Sequence, residues 1–205
     1  MHVAATMEMD RRHGYVERRE GQRHISIFRV GRLVVDGRDQ LCVVRNISAG
    51  GAKIECNNPP ATHLKVRVDL RSDRMLDASV RWTRAREAGL AFDTPIDVAE
   101  ILREERPSIR RTLPRAPRFI RTGSVKIMAG HGSYEGAITN ISINGIGVRT
   151  DGAFAKDEPV IVVIDGLGAT HAFARWQANG EVGLRLNSPL SYKALADWLD
   201  ARAGV

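Results

Sequence analysis

The feature that most constrains this 205-residue sequence is a pattern that occurs twice. Each copy has a short arginine cluster and, further along the chain, an Asn-x-Ser-x-x-Gly sequence. A pattern repeated at domain-sized spacing predicts two similar domains in tandem. The first copy has Arg18, Arg19 and Arg23 with Asn46, Ser48 and Gly51, and the second has Arg110, Arg111 and Arg115 with Asn140, Ser142 and Gly145.

Residues outside the two motifs keep the same spacing. Arg29 and Gly31 align with Arg121 and Gly123 at the 92-residue offset of the arginine clusters. Residues from the Asn-x-Ser-x-x-Gly sequence onwards align at an offset of 94 instead. We therefore expect two extra residues in one loop of the second copy, near residues 130–132.

The repeat divides the chain into three parts. We expect a mobile N-terminal tail at 1–17, a first domain at 18–105 and a second domain at 106–205. Residues 106–117 of the second domain form the linker and its arginine loop.

The charge and composition restrict the partners and the location. A net charge of +7 and a pI near 10.0 favour an anionic partner, which could be nucleic acid, a phosphorylated small molecule or a membrane surface. No apolar run approaches the ~20 residues of a membrane helix, and the N-terminus lacks the apolar stretch of a signal peptide. We expect a soluble, cytoplasmic protein without a membrane span, in which Cys42 and Cys56 are reduced structural thiols and no metal is bound.

The hydrophobic pattern predicts short strands followed by a helix in each half. Alternation over 64–70 predicts a half-buried strand with Lys65, Arg67 and Asp69 facing outwards. Several such strands with turns between them favour a small barrel. Helices are expected at 94–105 and 189–202, where Thr94 and Ser188 precede prolines.

Two further side-chain patterns lead to expectations about packing. Trp82 and Trp176 occupy matching positions in apolar-alternating strands, which predicts that both pack in the barrel cores. Ile161 and Val163 stand where the first half has Arg67 and Asp69, so that one outer face has become apolar. This face is expected to pack against the first domain or a second copy of the protein, or to be covered by the C-terminal helix.

The arginine loop, the Asn-x-Ser-x-x-Gly sequence, a later strand with tryptophan and a terminal helix together resemble the PilZ domain family, in tandem over nearly the whole chain. The resemblance implies a mainly β protein with two tandem six-stranded antiparallel β-barrels, each followed by an α-helix. It also implies a non-enzymatic bacterial receptor for the second messenger cyclic di-GMP. Such a receptor needs no cofactor beyond this ligand.

The chemistry of the two motifs agrees with that ligand. Paired guanidinium hydrogen bonds suit phosphate oxygens and the O6/N7 edge of guanine. The resemblance therefore implies that Arg19 and Arg23 clamp the ligand while Arg18 stacks on or bridges to a second guanine. It assigns ligand binding to Arg18, Arg19, Arg23, Asn46, Ser48, Gly51, Arg110, Arg111, Arg115, Asn140, Ser142 and Gly145.

The second arginine loop has a feature that the first lacks. Pro114 and Pro117 bracket Arg115, and this stiffness either preorganises the second site or spoils it. Arg106 and Arg118 add charge there, and either could substitute for a motif arginine.

Other interpretations stay open. The Asn-x-Ser-x-x-Gly sequence is also an ordinary polar turn. The charge favours a nucleic-acid-binding barrel, although only Phe28 and Phe119 lie near the basic loops. A PilZ-like fold could also serve as a docking module without ligand. An enzyme is the least supported class, because the sequence has no nucleophile–base pair or phosphate loop. As a receptor, the protein would change its interdomain arrangement to signal to an unidentified partner in motility, exopolysaccharide or biofilm control.

Overall fold

The computed structural model describes residues 25–70, 74–103 and 116–202. The predicted tail at 1–17 and most of the predicted linker lie outside these residues. Both arginine clusters lie outside them as well, namely Arg18, Arg19, Arg23, Arg110, Arg111 and Arg115.

Six antiparallel strands and a short helix form the first half. The strands are β1 (Ile25–Val35), β2 (Arg38–Ser48), β3 (Gly51–Cys56), β4 (Lys65–Asp69), β5 (Met75–Arg84) and β6 (Glu87–Phe92), and the helix is α1 (Val98–Arg103). The strands close into a barrel in the order β1-β2-β3-β6-β5-β4, with β4 paired to β1.

The second half repeats this architecture. Its strands are β7 (Ser124–Ala129), β8 (Gly132–Ser142), β9 (Gly145–Arg149), β10 (Pro159–Ile164), β11 (Gly168–Ala178) and β12 (Glu181–Leu186), and its helix is α2 (Tyr192–Asp200). The closed order β7-β8-β9-β12-β11-β10 matches that of the first barrel strand for strand. The predicted mainly β fold, with two six-stranded barrels each followed by a helix, is confirmed.

Alternating side chains fill each barrel. In β3, Ala52, Ile54 and Cys56 are buried while the residues between them are only partly buried. In β10, the buried set is Val160, Val162 and Ile164. Because successive strand residues point to opposite faces, one face of every strand contributes to an apolar interior.

The predicted position of the two extra residues is wrong. Ile25 opposes Ile47 and Phe119 opposes Ile141, so the 94-residue offset already holds at the start of both barrels. The loops at 36–37 and 130–131 also have equal lengths. The insertion therefore precedes Phe119, and Arg121 is not the structural counterpart of Arg29.

Both helices begin later than predicted, because the preceding segments bond to the motif turns. The Ile96 amide donates to the Ala49 carbonyl (2.9 Å), and the Leu190 amide donates to the Ile143 carbonyl (2.8 Å). Asp97 rather than Thr94 then caps α1, through bonds from the Ala99 and Glu100 amides to its carboxylate.

The serine and glycine of each Asn-x-Ser-x-x-Gly sequence stabilise the barrel itself. Ser48 Oγ donates to the Gly51 carbonyl (3.3 Å), and Ser142 Oγ donates to the Gly145 carbonyl (3.1 Å). A Cβ at Gly51 would lie 2.2 Å from the Leu90 carbonyl oxygen, and one at Gly145 would lie 2.6 Å from that of Leu184. Glycine is therefore required here for β3 to approach β6 and for β9 to approach β12.

Helix α2 and the start of the second barrel dock on the outer face of β2 and β3. Leu41 of β2 is buried within the second barrel's apolar cluster. Tyr192 Oη lies 3.4 Å from the Leu41 carbonyl and 3.3 Å from that of Glu55. Burial raises the pKa of Tyr192, so the hydroxyl stays a donor to these carbonyls.

Polar contacts surround this apolar contact between the barrels. Arg121 donates to the Asp39 carboxylate (2.6 Å) and to its carbonyl (3.1 Å). Asn57 Nδ2 donates to Asp197 (3.1 Å) and Asp200 (2.8 Å) on α2. A hydrogen bond from Lys193, and then one from Asn57, lower the pKa of Asp197, which keeps this carboxylate ionised.

Two expectations about outward-facing residues have different outcomes. Asp69 is buried, which is contrary to the alternation, because Arg32 of β1 lies over it at 3.8 Å. Ile161 and Val163 do lie half-buried on the outer face of β10. The contacts described above between the barrels are made by other residues, so docking through this apolar face stays a prediction.

The close approach at Gly51 leads to a stability prediction. Gly51→Ala should destabilise the first barrel by about 2–4 kcal/mol, because the new Cβ must displace backbone rather than a flexible side chain. Differential scanning calorimetry measures the loss. Gly50→Ala is the matched control, since nothing lies within 4 Å of its added Cβ. Equal transition temperatures for the two variants would contradict the backbone constraint.

Candidate ligand-binding site

A row of cross-strand partners runs from the motif asparagine across four strands on the outer face of each barrel. In the first barrel, Asn46 opposes Lys53, Lys53 opposes Gly89, and Gly89 opposes Trp82. We call this the first row. The second row consists of Asn140, Gly147, Gly183 and Trp176 in the same order.

β-bulges flank each row at equivalent places. The register of β2 shifts between Val44 and Asn46, and the register of β5 shifts between Val80 and Trp82. The second barrel has shifts before Asn140 and Trp176. A bulge re-aims the side chains next to it, and here it precedes both the asparagine and the tryptophan of each row.

The prediction that the two tryptophans pack in the cores is wrong. Trp82 is 41% exposed and Trp176 is 43% exposed. Each indole lies on the outside of its barrel over a glycine, where a Cβ at Gly89 or Gly183 would come within 2.1 or 2.0 Å of the indole Nε1. One face of each ring is thus held against the barrel, while a large part of the indole stays open to a planar ligand.

The first row borders a cavity of about 390 Å³. Its lining includes Asn46, Ser48, Lys53, Arg81 and Trp82. This volume lies within the range of small-molecule sites, and the lining combines one aromatic ring with cationic and amide groups. The Asn46 side chain has no hydrogen-bond partner among the described residues.

Charged residues surround the first row. Lys53 Nζ pairs with Glu87 at 2.8 Å across β3 and β6. Arg45, the bulge residue before Asn46, pairs with Glu55 at 2.6 Å and lies over the exposed Phe28 ring at 5.0 Å. Arg81 forms no salt bridge with any residue that the structure describes. The first row therefore offers cations within reach of an anionic ligand.

The second row is connected differently. Arg118 donates to Asn140 Oδ1 at 3.2 Å, and Asn140 Nδ2 donates to Thr139 Oγ1 at 3.1 Å. Thr139 in turn donates to the Glu181 carboxylate. Thr139 stands in the place of Arg45 and Gly147 in the place of Lys53.

The structure places half of the predicted ligand residues. It brings Asn46, Ser48 and Gly51 together at the end of β2 and the start of β3, and it does the same for Asn140, Ser142 and Gly145 in β8 and β9. The six motif arginines lie outside the described residues. The ligand-binding role of all twelve residues stays a prediction.

Residues that the motifs do not include also line the candidate site. These are Lys53, Arg81, Trp82 and the supporting Gly89, and Arg45 lies beside Asn46 in the bulge of β2. Trp82 and Gly89 were already visible as repeated residues in the sequence, at matching positions to Trp176 and Gly183. Their outward orientation depends on the bulge in β5, which the alternation pattern does not reveal.

Two buried thiols lie outside the candidate site. Cys42 and Cys56 are buried free thiols opposite one another on β2 and β3, and burial raises the pKa of each, to about 12 for Cys56. Within 25–70, 74–103 and 116–202, no group of His, Cys, Asp or Glu side chains could hold a metal ion. In the same ranges, no helix is long and apolar enough to cross a membrane.

Comparisons with known proteins locate the chain among solved structures. It resembles the Borreliella burgdorferi PlzA protein in complex with c-di-GMP, with 13% identity over 84% of this chain and 87% of that one and a TM-score of 0.40. It also resembles Bacillus subtilis MotI/DgrA, an inhibitor of motility, with 14% identity over 86% of this chain and 97% of that one and a TM-score of 0.35. A third similar structure is Escherichia coli YcgR in complex with c-di-GMP, with 12% identity over 84% of this chain and 80% of that one and a TM-score of 0.33. No curated protein sequence matches the chain.

A sequence model of the PilZ domain matches residues 17–106 and 110–199. The matched segments include the two barrels, and each contains one arginine cluster and one Asn-x-Ser-x-x-Gly sequence. The chain therefore belongs to the PilZ domain family and carries two tandem copies of the domain.

Proposed function

We propose that this protein is a cyclic di-GMP receptor of the bacterial cytoplasm. It is not an enzyme but an effector that passes the signal on by a change in the arrangement of its two barrels. Membership of the PilZ family and the two complete sets of ligand motifs support this proposal. The neighbours PlzA and YcgR were solved in complex with the same nucleotide.

The observation that carries the proposal is the cavity beside the first row. A cyclic dinucleotide has two phosphates and two guanines, so its site needs cations, amide groups and flat apolar surface in one place. Lys53 and Arg81 supply charge, the Asn46 amide can both donate and accept, and the Trp82 indole offers a stacking face. Arg18, Arg19 and Arg23 precede β1 in the sequence, and Ser26 near the start of β1 opposes Asn46 of this row.

Strand β3 offers a route from the ligand to the interdomain contact. Its outward-facing residues are Gly51 and Lys53 beside the cavity, then Glu55, and then Asn57 just beyond the strand. The Glu55 carboxylate holds Arg45, which precedes Asn46, while the Glu55 carbonyl contacts Tyr192 of α2. A ligand that moves Arg45 or Lys53 thus acts on the strand that supports the second barrel.

The signal then requires a receiving surface. The outer face of β10 borders a cavity of about 450 Å³ that includes Ile161, Phe173 and Met128. We propose this apolar face as the place where a downstream protein or a second copy binds. The resemblance to PilZ proteins points to control of motility, exopolysaccharide or biofilm formation as the output.

Calorimetric titration of cyclic di-GMP into three forms of the full chain tests the receptor proposal. The wild type should bind with measurable heat, and both Arg19→Ala/Arg23→Ala and Arg111→Ala/Arg115→Ala should lose the heat of the site that they remove. Each double variant deletes two charge-assisted contacts, so the affinity of that site should fall by about two orders of magnitude.

The same titration separates the receptor from a nucleic-acid-binding barrel. An oligonucleotide of single-stranded DNA should bind weakly and with an affinity that falls steeply as salt rises. A wild type that gives no heat with cyclic di-GMP but binds the oligonucleotide tightly would reject the receptor proposal. The exposed Trp82, Trp176 and Phe28 rings make this comparison necessary.

Hydrogen exchange tests the interdomain part of the proposal. Saturating cyclic di-GMP should change amide exchange in α2 and at Asn57, which follows β3 at the end away from the motif turn, and also in the 105–118 segment. Small-angle scattering should change with it. Tyr192→Phe, which lacks the hydroxyl contact with β2 and β3, should show a smaller ligand effect. Exchange changes confined to the motif turns, with identical scattering curves, would contradict the rearrangement.

A further inference from the structure

The two rows share the same strands, bulges and tryptophan–glycine contacts, yet they differ at the position between asparagine and glycine. Lys53 occupies it in the first row, and Gly147 occupies it in the second. A Cβ at Gly147 would lie 2.3 Å from Asn140 Nδ2, 2.8 Å from Thr139 Oγ1 and 2.9 Å from Glu181 Oε1. The space above Gly147 is thus filled by these three polar side chains.

The asparagine side chains of the two rows also differ in whether their polar atoms are free to bind a ligand. Both polar atoms of the Asn140 side chain are engaged, the oxygen by Arg118 and the nitrogen by Thr139. Asn46 has neither kind of partner within the described part of the chain. A ligand that binds Asn140 must first break this chain of hydrogen bonds, whereas one that binds Asn46 breaks no hydrogen bond of the asparagine side chain to a described residue.

The carboxylates beside the two rows, Glu87 and Glu181, differ in whether a cation pairs with them. Glu87 is paired with Lys53 at 2.8 Å. Its counterpart Glu181 accepts a hydrogen bond from Thr139, and no salt bridge to it occurs among the residues that the structure describes. Glu181 therefore places a carboxylate without a described salt bridge beside Asn140, and this negative charge disfavours a phosphate there.

The strand arginines add to this difference. Arg81 lines the first cavity and forms no salt bridge with a described residue, whereas the matching Arg175 pairs with Asp157. His63 occupies the place of Asp157 in the first barrel. The Arg81 guanidinium interacts with Asp93 only through its charge, so its N–H groups remain available for a ligand phosphate.

We propose that the first barrel is the tighter cyclic di-GMP site, with Lys53 as a phosphate contact that the second barrel lacks, and that the Arg118–Asn140–Thr139–Glu181 chain holds the second row closed. This assignment rests on the proposed function. The two barrels then respond to different ligand concentrations. The first binds at low concentrations, and the second binds only when the ligand displaces its internal hydrogen bonds.

The three tryptophans allow this proposal to be tested one site at a time. Trp82 and Trp176 each report on one row, and Trp198 is buried and donates to the Asp165 carbonyl at 2.7 Å, so it serves as an internal reference. Each gives one indole N–H signal in a nitrogen–proton NMR spectrum of the full chain, assigned with single Trp→Phe variants. Cyclic di-GMP should shift the Trp82 signal at concentrations about tenfold or more below those that shift Trp176.

Two variants test the residues that set the order. Lys53→Ala should weaken binding at the first row about tenfold, while Lys126→Ala should leave it unchanged because that exposed lysine lies on β7 of the second barrel, near Glu135 and outside the cavity. Glu181→Gln should bring the Trp176 response to lower ligand concentrations, and Glu135→Gln, at an exposed carboxylate elsewhere in β8, should not.

The outcomes separate this assignment from the proposed function. Calorimetric binding with a Trp176 response first, with both responses at equal concentrations, or without any Trp82 response would overturn the assignment and leave the receptor intact. An unchanged affinity in Lys53→Ala would reject Lys53 as a contact. The absence of any binding to the wild type would reject the receptor and this assignment together.

Discussion

The close backbone approach at Gly51 and Gly145 is the constraint on which both candidate sites depend. Carbonyl oxygens of the neighbouring strand occupy the space of a Cβ at each glycine. This contact lets the motif serine bond across its own turn and joins β3 to β6 in one register. That register places the asparagine, two residues before the serine, in line with the tryptophan on β5. The serine and glycine of the motif thus stabilise the closed barrel, and the asparagine is the motif side chain that the proposed ligand site uses.

The repeat predicted two domains, the alternation of apolar residues predicted short strands, and the PilZ resemblance implied two six-stranded barrels. Sequence reasoning thus predicted the fold well, because these patterns are read without knowing which strands pair. It failed for Trp82 and Trp176, since one bulge before each residue turns an expected inward side chain outwards. It also failed for Asp69, which an arginine from another strand covers. Bulges and cross-strand partners depend on which strands pair, and a single strand's pattern does not contain that information.

The contact between the barrels was only partly predictable. Leu41, Cys42, Val43 and Val44 form an unbroken apolar run, and all four are buried. A strand whose two faces are both apolar is expected to pack against another element on its outer face. Here α2 and the start of the second barrel pack on that face. The polar contacts around it, such as Arg121 with Asp39, join residues distant in sequence and have no counterpart in the repeat. The duplicated domains have therefore diverged both in the residues that join the barrels and in the residues of the first and second rows.

We propose that cyclic di-GMP binds at the outer row of Asn46, Lys53, Gly89 and Trp82. A crystal structure of the full chain with cyclic di-GMP examines this most directly. We expect ligand density beside Asn46 and Lys53, with a guanine against the Trp82 indole and motif arginines on the phosphates. A bound ligand elsewhere on the protein, with the first row empty, would contradict it.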